Sequence, residues 1–113
     1  MEPIADFSWM KDLLTGRVRE RFPLEPYRAV GVELQPAEEA RSSQYHYRLL
    51  VFPPEGNKPV LSLNLETSLL GSACLTEQAA GEHLILGLAE ESMSWEEFRR
   101  WAVDRARQDL KLN

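Results

Sequence analysis

The residues best suited to chemistry in this chain of 113 are one cysteine, two histidines and a handful of acids inside strand-like segments. Cys74 and His83 stand close enough in sequence, with Glu66 and Glu82 nearby, to suggest a thiol nucleophile, an imidazole base and a carboxylate to orient the base. Such a thiol needs an accessible, electropositive setting. Cys74 instead lies among Ala73, Leu75 and other small residues, where a cysteine packs as a compact hydrophobe. Catalysis by paired carboxylates needs one acid with a raised pKa, hence an acid among apolar groups. Glu33 and Glu66 are the candidates, and both are expected on the solvent faces of their strands. His46 alternates with Arg48 on a polar strand face, and His83 follows a turn, which are settings for ordinary surface histidines. Two histidines and one cysteine assemble no zinc site at a recognised spacing. Gly71-Ser72 and Gly81 lack both the lysine of a phosphate loop and the glycine triplet of a dinucleotide fold. No catalytic residue, metal or cofactor is assigned on this reading, and a binding protein is expected rather than an enzyme.

Charge narrows the partner. The net charge is −5, and between Pro59 and Phe98 there is no Lys or Arg, while Glu66, Glu77, Glu82, Glu90, Glu91, Glu96 and Glu97 all fall there. A nucleic-acid surface needs clustered cations to displace counterions, so that class is disfavoured. Residues 1–22 mix Asp6, Lys11, Asp12, Arg17 and Arg19 with the apolar positions, leaving no uninterrupted segment for a signal peptide or membrane span. With Cys74 alone, a reducing compartment and a cytoplasmic location are expected.

These residues must be positioned by elements that the periodicity outlines. From Ile4 to Phe22, the residues Phe7, Met10, Leu14 and Val18, with Trp9 and Leu13 beside them, recur at helical spacing and predict a helix of about four turns. Gly16 weakens its second half. After Pro26 the period becomes two. Val30, Val32 and Leu34 define one strand, and Tyr45 to Phe52 a second, with Tyr45, Tyr47, Leu49 and Val51 on one face and His46 and Arg48 on the other. Pro36 to Ser43 is a polar loop between them. Leu61, Leu63 and Leu65 give a third strand. Glu66 to Gly71 is a helical turn or a bulged corner. Ser72–Glu77 and His83–Leu88 then pair about Ala79-Ala80-Gly81-Glu82, with a continuous helix over 67–80 as the competing reading. The last helix is announced by Ser94-Trp95-Glu96-Glu97, a capping box, with Met93 and Phe98 placed as a hydrophobic staple. Its stripe is Trp95, Phe98, Ala102, Ala106 and Leu110.

The expectation is one α+β domain over 1–113. It holds an antiparallel sheet of about five strands in the order α-β-β-β-(short α)-β-β-α, with both terminal helices on one face because each has a single apolar stripe to bury.

The run Leu63-Asn64-Leu65, Gly71-Ser72-Ala73-Cys74-Leu75, Gly81 to Leu86 and Trp95-Glu96-Glu97-Phe98 resembles the class I type III secretion chaperones and the related YbjN-like proteins over roughly 60–110. The resemblance is one of hydrophobic pattern and glycines. It implies a homodimer and a groove that holds an extended segment of a partner, and it carries over no functional residue. Here the central helix of that family is reduced to Glu66–Gly71.

The function expected is non-catalytic protein binding, by strand addition at a sheet edge or by an apolar groove. Leu69, Leu70, Trp9 and Trp101 are the partner-binding candidates, and Leu69-Leu70 the candidate homodimer contact. The alternative is a small-ligand carrier or minor enzyme with a pocket between helix and sheet, lined by Tyr45, Tyr47 or His83.

Overall fold

Gly16 divides what the helical spacing presents as one element. In the computed structural model, which describes residues 2–34, 45–67, 71–90 and 92–112, α1 spans Ser8–Thr15 and stops there. The Gly16 amide donates to the Asp12 carbonyl while its own backbone turns extended, and a Cβ at that position would lie 2.7 Å from the Asp12 carbonyl oxygen and from the Val32 and Leu34 side chains. The chain beyond it, Arg17–Leu24, is a strand, β1, in which Arg17, Arg19, Arg21 and Pro23 face out while Val18, Glu20 and Phe22 are half-buried. This sixth strand corrects both the four-turn helix and the five-strand sheet. The helical spacing of Met10, Leu14 and Val18 hid the period-two alternation of Arg17, Arg19 and Arg21.

The remaining elements are β2 (Tyr27–Glu33), β3 (Tyr45–Phe52), β4 (Leu61–Thr67), β5 (Ala73–Ala79), β6 (Glu82–Leu88) and α2 (Trp95–Asp109). The α+β class is as expected, the element order is roughly so with one strand added, and 73–79 is strand rather than helix. The six strands form one antiparallel sheet in sequence order, β1-β2-β3-β4-β5-β6. The polar connection over 36–43 and most of the ambiguous corner after Thr67 lie outside the described residues. The capping box is present: Ser94 Oγ accepts from the Glu97 amide and Glu97 Oε1 from the Ser94 amide, each at 3.1 Å.

The helices lie on opposite faces, not on one. Trp95, Phe98, Ala102 and Ala106 of α2 pack on Ala29, Leu49, Val51, Leu61, Leu63 and Leu65. Gly31 admits the indole of Trp95, since a Cβ there would come within 2.1 Å of its ring. Trp9 of α1 packs in a second cluster with Val32, Leu34, Tyr45, Leu50 and Phe52. The physical reason lies in β3. Leu49, Leu50, Val51 and Phe52 are consecutive and all buried, and consecutive strand residues point to opposite faces, so both faces of the sheet need a cover. The helix α1 is also rotated from the expected stripe. Trp9 and Asp12 face the sheet, whereas Phe7, Met10 and Leu14 face outward, Leu14 at 80% exposure.

Candidate docking edge and the polar layer behind it

The face beneath α1 carries a buried polar layer centred on Arg48. This residue is fully buried, although its position between Tyr47 and Leu49 reads as solvent-facing. Its Nη1 donates to Asp12 Oδ2 at 2.8 Å and to Ser8 Oγ at 3.1 Å, both on α1. Nη2 donates to Gln78 Oε1 at 2.6 Å and Ser62 Oγ at 3.2 Å, and Nε to Asn64 Oδ1 at 3.0 Å with Ser62 Oγ at 3.3 Å. All five guanidinium N–H groups are thereby used, the condition under which a buried charge is tolerated. The Tyr45 ring closes one side, 4.0 Å from the guanidinium carbon.

Gln78 extends the layer by donating to Asp6 Oδ2 at 2.9 Å, and Asn64 Nδ2 donates to Thr76 Oγ1 at 3.1 Å. Burial works against the Asp6 charge. Hydrogen bonds from the Ser8 hydroxyl and amide outweigh it, with Gln78 and Arg48 adding, and its carboxyl sits below the ordinary range. Burial pushes the Tyr45 phenol up to about 12, against the Arg48 charge, so it remains protonated at neutral pH and offers no base.

The candidate nucleophile meets the wrong environment. Cys74 is buried and is the cross-strand partner of Glu66. Burial first, and the Glu66 charge second, raise the thiol's pKa, the reverse of what activation needs. Glu66 is itself 4% exposed, not solvent-facing as its strand pattern suggested, and its Oε1 lies 3.0 Å from His83 Nε2. Of the two acids placed to orient His83, Glu66 is the one in contact. His46 Nε2 is bonded to Thr67 Oγ1 at 2.7 Å, and Glu33 pairs with Arg19 at 2.8 Å on the sheet surface.

Sequence reasoning missed Glu77, which pairs across the sheet with Leu63 and lies under the end of α2. Desolvation, then the neighbouring Asp109 carboxyl, raise its pKa to about 7, against an Arg105 hydrogen bond of 3.1 Å. Asp109 Oδ2 is 3.3 Å from Arg105 Nε, a charge contact that leaves this buried oxygen without a hydrogen-bond donor. A protonated Glu77 can supply one.

Away from this layer the sheet ends in two unlike edges. The outer strand β1 carries exposed Arg17, Arg19, Arg21 and Pro23 and a bulge between Val18 and Glu20, the usual protections of an edge against pairing. Among the described residues the other outer strand, β6, pairs with β5 alone, and it has no Lys, Arg or Pro. Its Leu84, Ile85, Leu86 and Leu88 are all exposed, Ile85 at 70% and Leu88 at 83%. Glu82 to Ile85 follow β5 in regular register from Ala79 to Thr76, and one extra residue, Leu86, is accommodated before Gly87 pairs with Leu75.

The partner-binding candidates fall elsewhere. Trp9 is 4% exposed and meets Phe52 edge-on at 5.9 Å, so it covers the sheet. Trp101 is half-buried and continues the aromatic row from Tyr47 through Phe98, 6.0 Å from the latter. Leu69 and Leu70 lie outside the described residues. The β6 edge was missed because its residues read only as one half of a hairpin. The available signal was five apolar or Gly positions in succession, Leu84 to Leu88, with no charge among them.

Among the described residues no helix is long and apolar enough to cross a membrane, and no three potential metal-ligating side chains cluster. Comparisons with protein-family models, curated proteins and solved structures give no match to this chain.

Proposed function

We propose that this chain is a non-catalytic protein-binding domain that takes an extended segment of a partner as an added strand along β6. The observation that carries the reading is the unprotected apolar edge from Leu84 to Leu88, beside a sheet whose other edge is protected by arginines and a proline. An open strand offers a row of main-chain donors and acceptors for affinity, while alternate side chains give selectivity. The secretion-chaperone resemblance agrees in kind, since those proteins hold extended segments of others. A reducing, cytoplasmic setting agrees with a single buried Cys74.

The ligand-carrier alternative draws less support. Tyr47 lies 5.6 Å from the Trp95 ring and 5.5 Å from that of Phe98, and Tyr45 is capped by Arg48, so both rings serve packing. Two surface grooves among the described residues, of about 320 and 470 Å³, are lined by α2 and, for the larger, by Lys111 and Leu112 with Pro23, Leu24 and Glu25, and neither includes Tyr45, Tyr47 or His83.

The test is affinity capture with the parent protein and with an Ile85→Lys/Leu88→Lys variant. Both side chains are exposed, so each change should leave stability within about 0.5 kcal/mol. A partner held by the parent and lost by the folded variant supports the reading. Identical partners on both proteins would sink it.

A further inference from the structure

Resting on the strand-addition reading, we infer that the occupant of β6 is an extended apolar segment of another protein that carries a Lys or Arg at each end. Exposed Glu82 opens the strand and exposed Glu90 follows its end, the latter accepting from Ser92 Oγ at 3.5 Å. Between them lie His83, four exposed apolar side chains, Gly87 and the half-buried Ala89. The edge is thus an apolar strip with a carboxylate at either end, in a stretch of sequence from Pro59 to Phe98 that holds no Lys or Arg. Arg105, which reaches β5 from α2, is taken by Glu77 and Asp109. His83 is held by Glu66.

Glu82 and Glu90 are eight positions apart, but the extra residue at Leu86 leaves about seven strand steps, about 23 Å at about 3.3 Å per residue, so matching cations belong about seven residues apart on the added strand. Both carboxylates are solvent-exposed, and their pull on a partner is therefore screened over about 8 Å at physiological salt. It acts on groups laid directly alongside, as in a strand pair, and selects partners more than it adds raw affinity.

A second copy of this chain fits less well. Two β6 strands paired antiparallel about Ile85 would set Glu82 opposite Leu88 of the other copy, two positions from that copy's Glu90, and would do so at both ends of the seam. Four carboxylates would then line one short joint with no cation supplied by either strand, an arrangement that like charges oppose.

The experiment titrates the full chain with three fluorescent eight-residue peptides by anisotropy. One has an alternating Val/Thr centre with Lys at each end, one the same centre with Glu at each end, and one a Gly/Ser centre with the Lys ends. The Lys-ended apolar peptide should bind roughly tenfold tighter than its Glu-ended twin at about 0.05 M salt, shrinking to about threefold or less at 0.5 M. The Gly/Ser peptide should not bind, Ile85→Lys should abolish binding, and Glu82→Gln/Glu90→Gln should bring the two apolar peptides to within about threefold. Equal affinities for Lys and Glu ends overturn the charge assignment and leave strand addition standing. Binding of neither apolar peptide, with a monomer by light scattering, overturns strand addition as well. A dimer that Ile85→Lys dissociates without unfolding gives the edge to a second copy and overturns the inference.

Discussion

Replacing Arg48 by Met tests whether the polar layer holds α1 in place. The change removes a fully buried guanidinium while keeping much of its apolar stem, and it leaves Asp12 buried without its 2.8 Å counter-ion. Breaking a buried ion pair from one side costs about 3–5 kcal/mol. Gln78 Oε1, Asn64 Oδ1 and the Ser62 and Ser8 hydroxyls lose a donor together, each worth up to about 1–3 kcal/mol if water cannot enter. A domain of this size has about 6–17 kcal/mol of stability. The expected loss is about 4–6 kcal/mol, enough to bring the urea midpoint down by about a quarter or more, read by far-UV circular dichroism. The double variant Arg48→Met/Asp12→Leu removes both charges. It should recover at least about 2 kcal/mol relative to the single change, because a buried pair replaced by apolar groups costs little. If Arg48→Met costs less than about 1 kcal/mol, or the double variant is as unstable as the sum of the two single changes, the pair is not what seats α1.

Glu77 gives a pH signature. Its pKa in the folded chain, about 7, exceeds the ordinary 4.5, so the folded state holds this proton more tightly. Stability from this group is fully present below about pH 4.5, falls as pH rises toward 7 and is gone above it, by at most about 3 kcal/mol. Glu77→Gln should therefore be more stable than the parent at pH 8 by about 1–3 kcal/mol and converge with it near pH 4.5 in denaturant titrations. Gly31→Ala should cost about 1–3 kcal/mol, because a methyl group would enter the Trp95 ring, and a quenched or shifted tryptophan fluorescence should accompany the loss. Cys74, with its raised pKa and buried side chain, should react with a thiol reagent only as fast as the chain opens, so that adding about 1 M urea accelerates labelling.

What was legible in the sequence was local. Ser94 and Glu97 define the start of α2 because a capping box is complete within four residues. The limits of β3 follow from the apolar pattern of Tyr45 to Phe52, and the β5–β6 pair from its turn. Hidden were features decided by partners far along the chain. Arg48 reads as exposed because Asp12, which neutralises it, stands 36 positions away. The stripe of Phe7, Met10 and Leu14 reads as the buried side of α1 because only Trp9 against Phe52, and Asp12 against Arg48, select the other side. The second face of the sheet was signalled by Leu50 and Phe52, but the alternation of Tyr45, Tyr47, Leu49 and Val51 masked it.

The links from Asp6 to Gln78 and from the Ala5 amide to the Ala80 carbonyl impose an order in time on synthesis. Each hairpin of the sheet closes between strands adjacent in sequence, and each can form as its second strand appears. The start of the chain has no such neighbour, for Asp6 must wait 72 positions for Gln78. At about 5–20 residues per second, that is roughly 4–14 s on a translating ribosome. Trp9 meets Val32, Leu34, Tyr45, Leu50 and Phe52 well before then, so the residues just ahead of α1 are fastened after the helix they lead into.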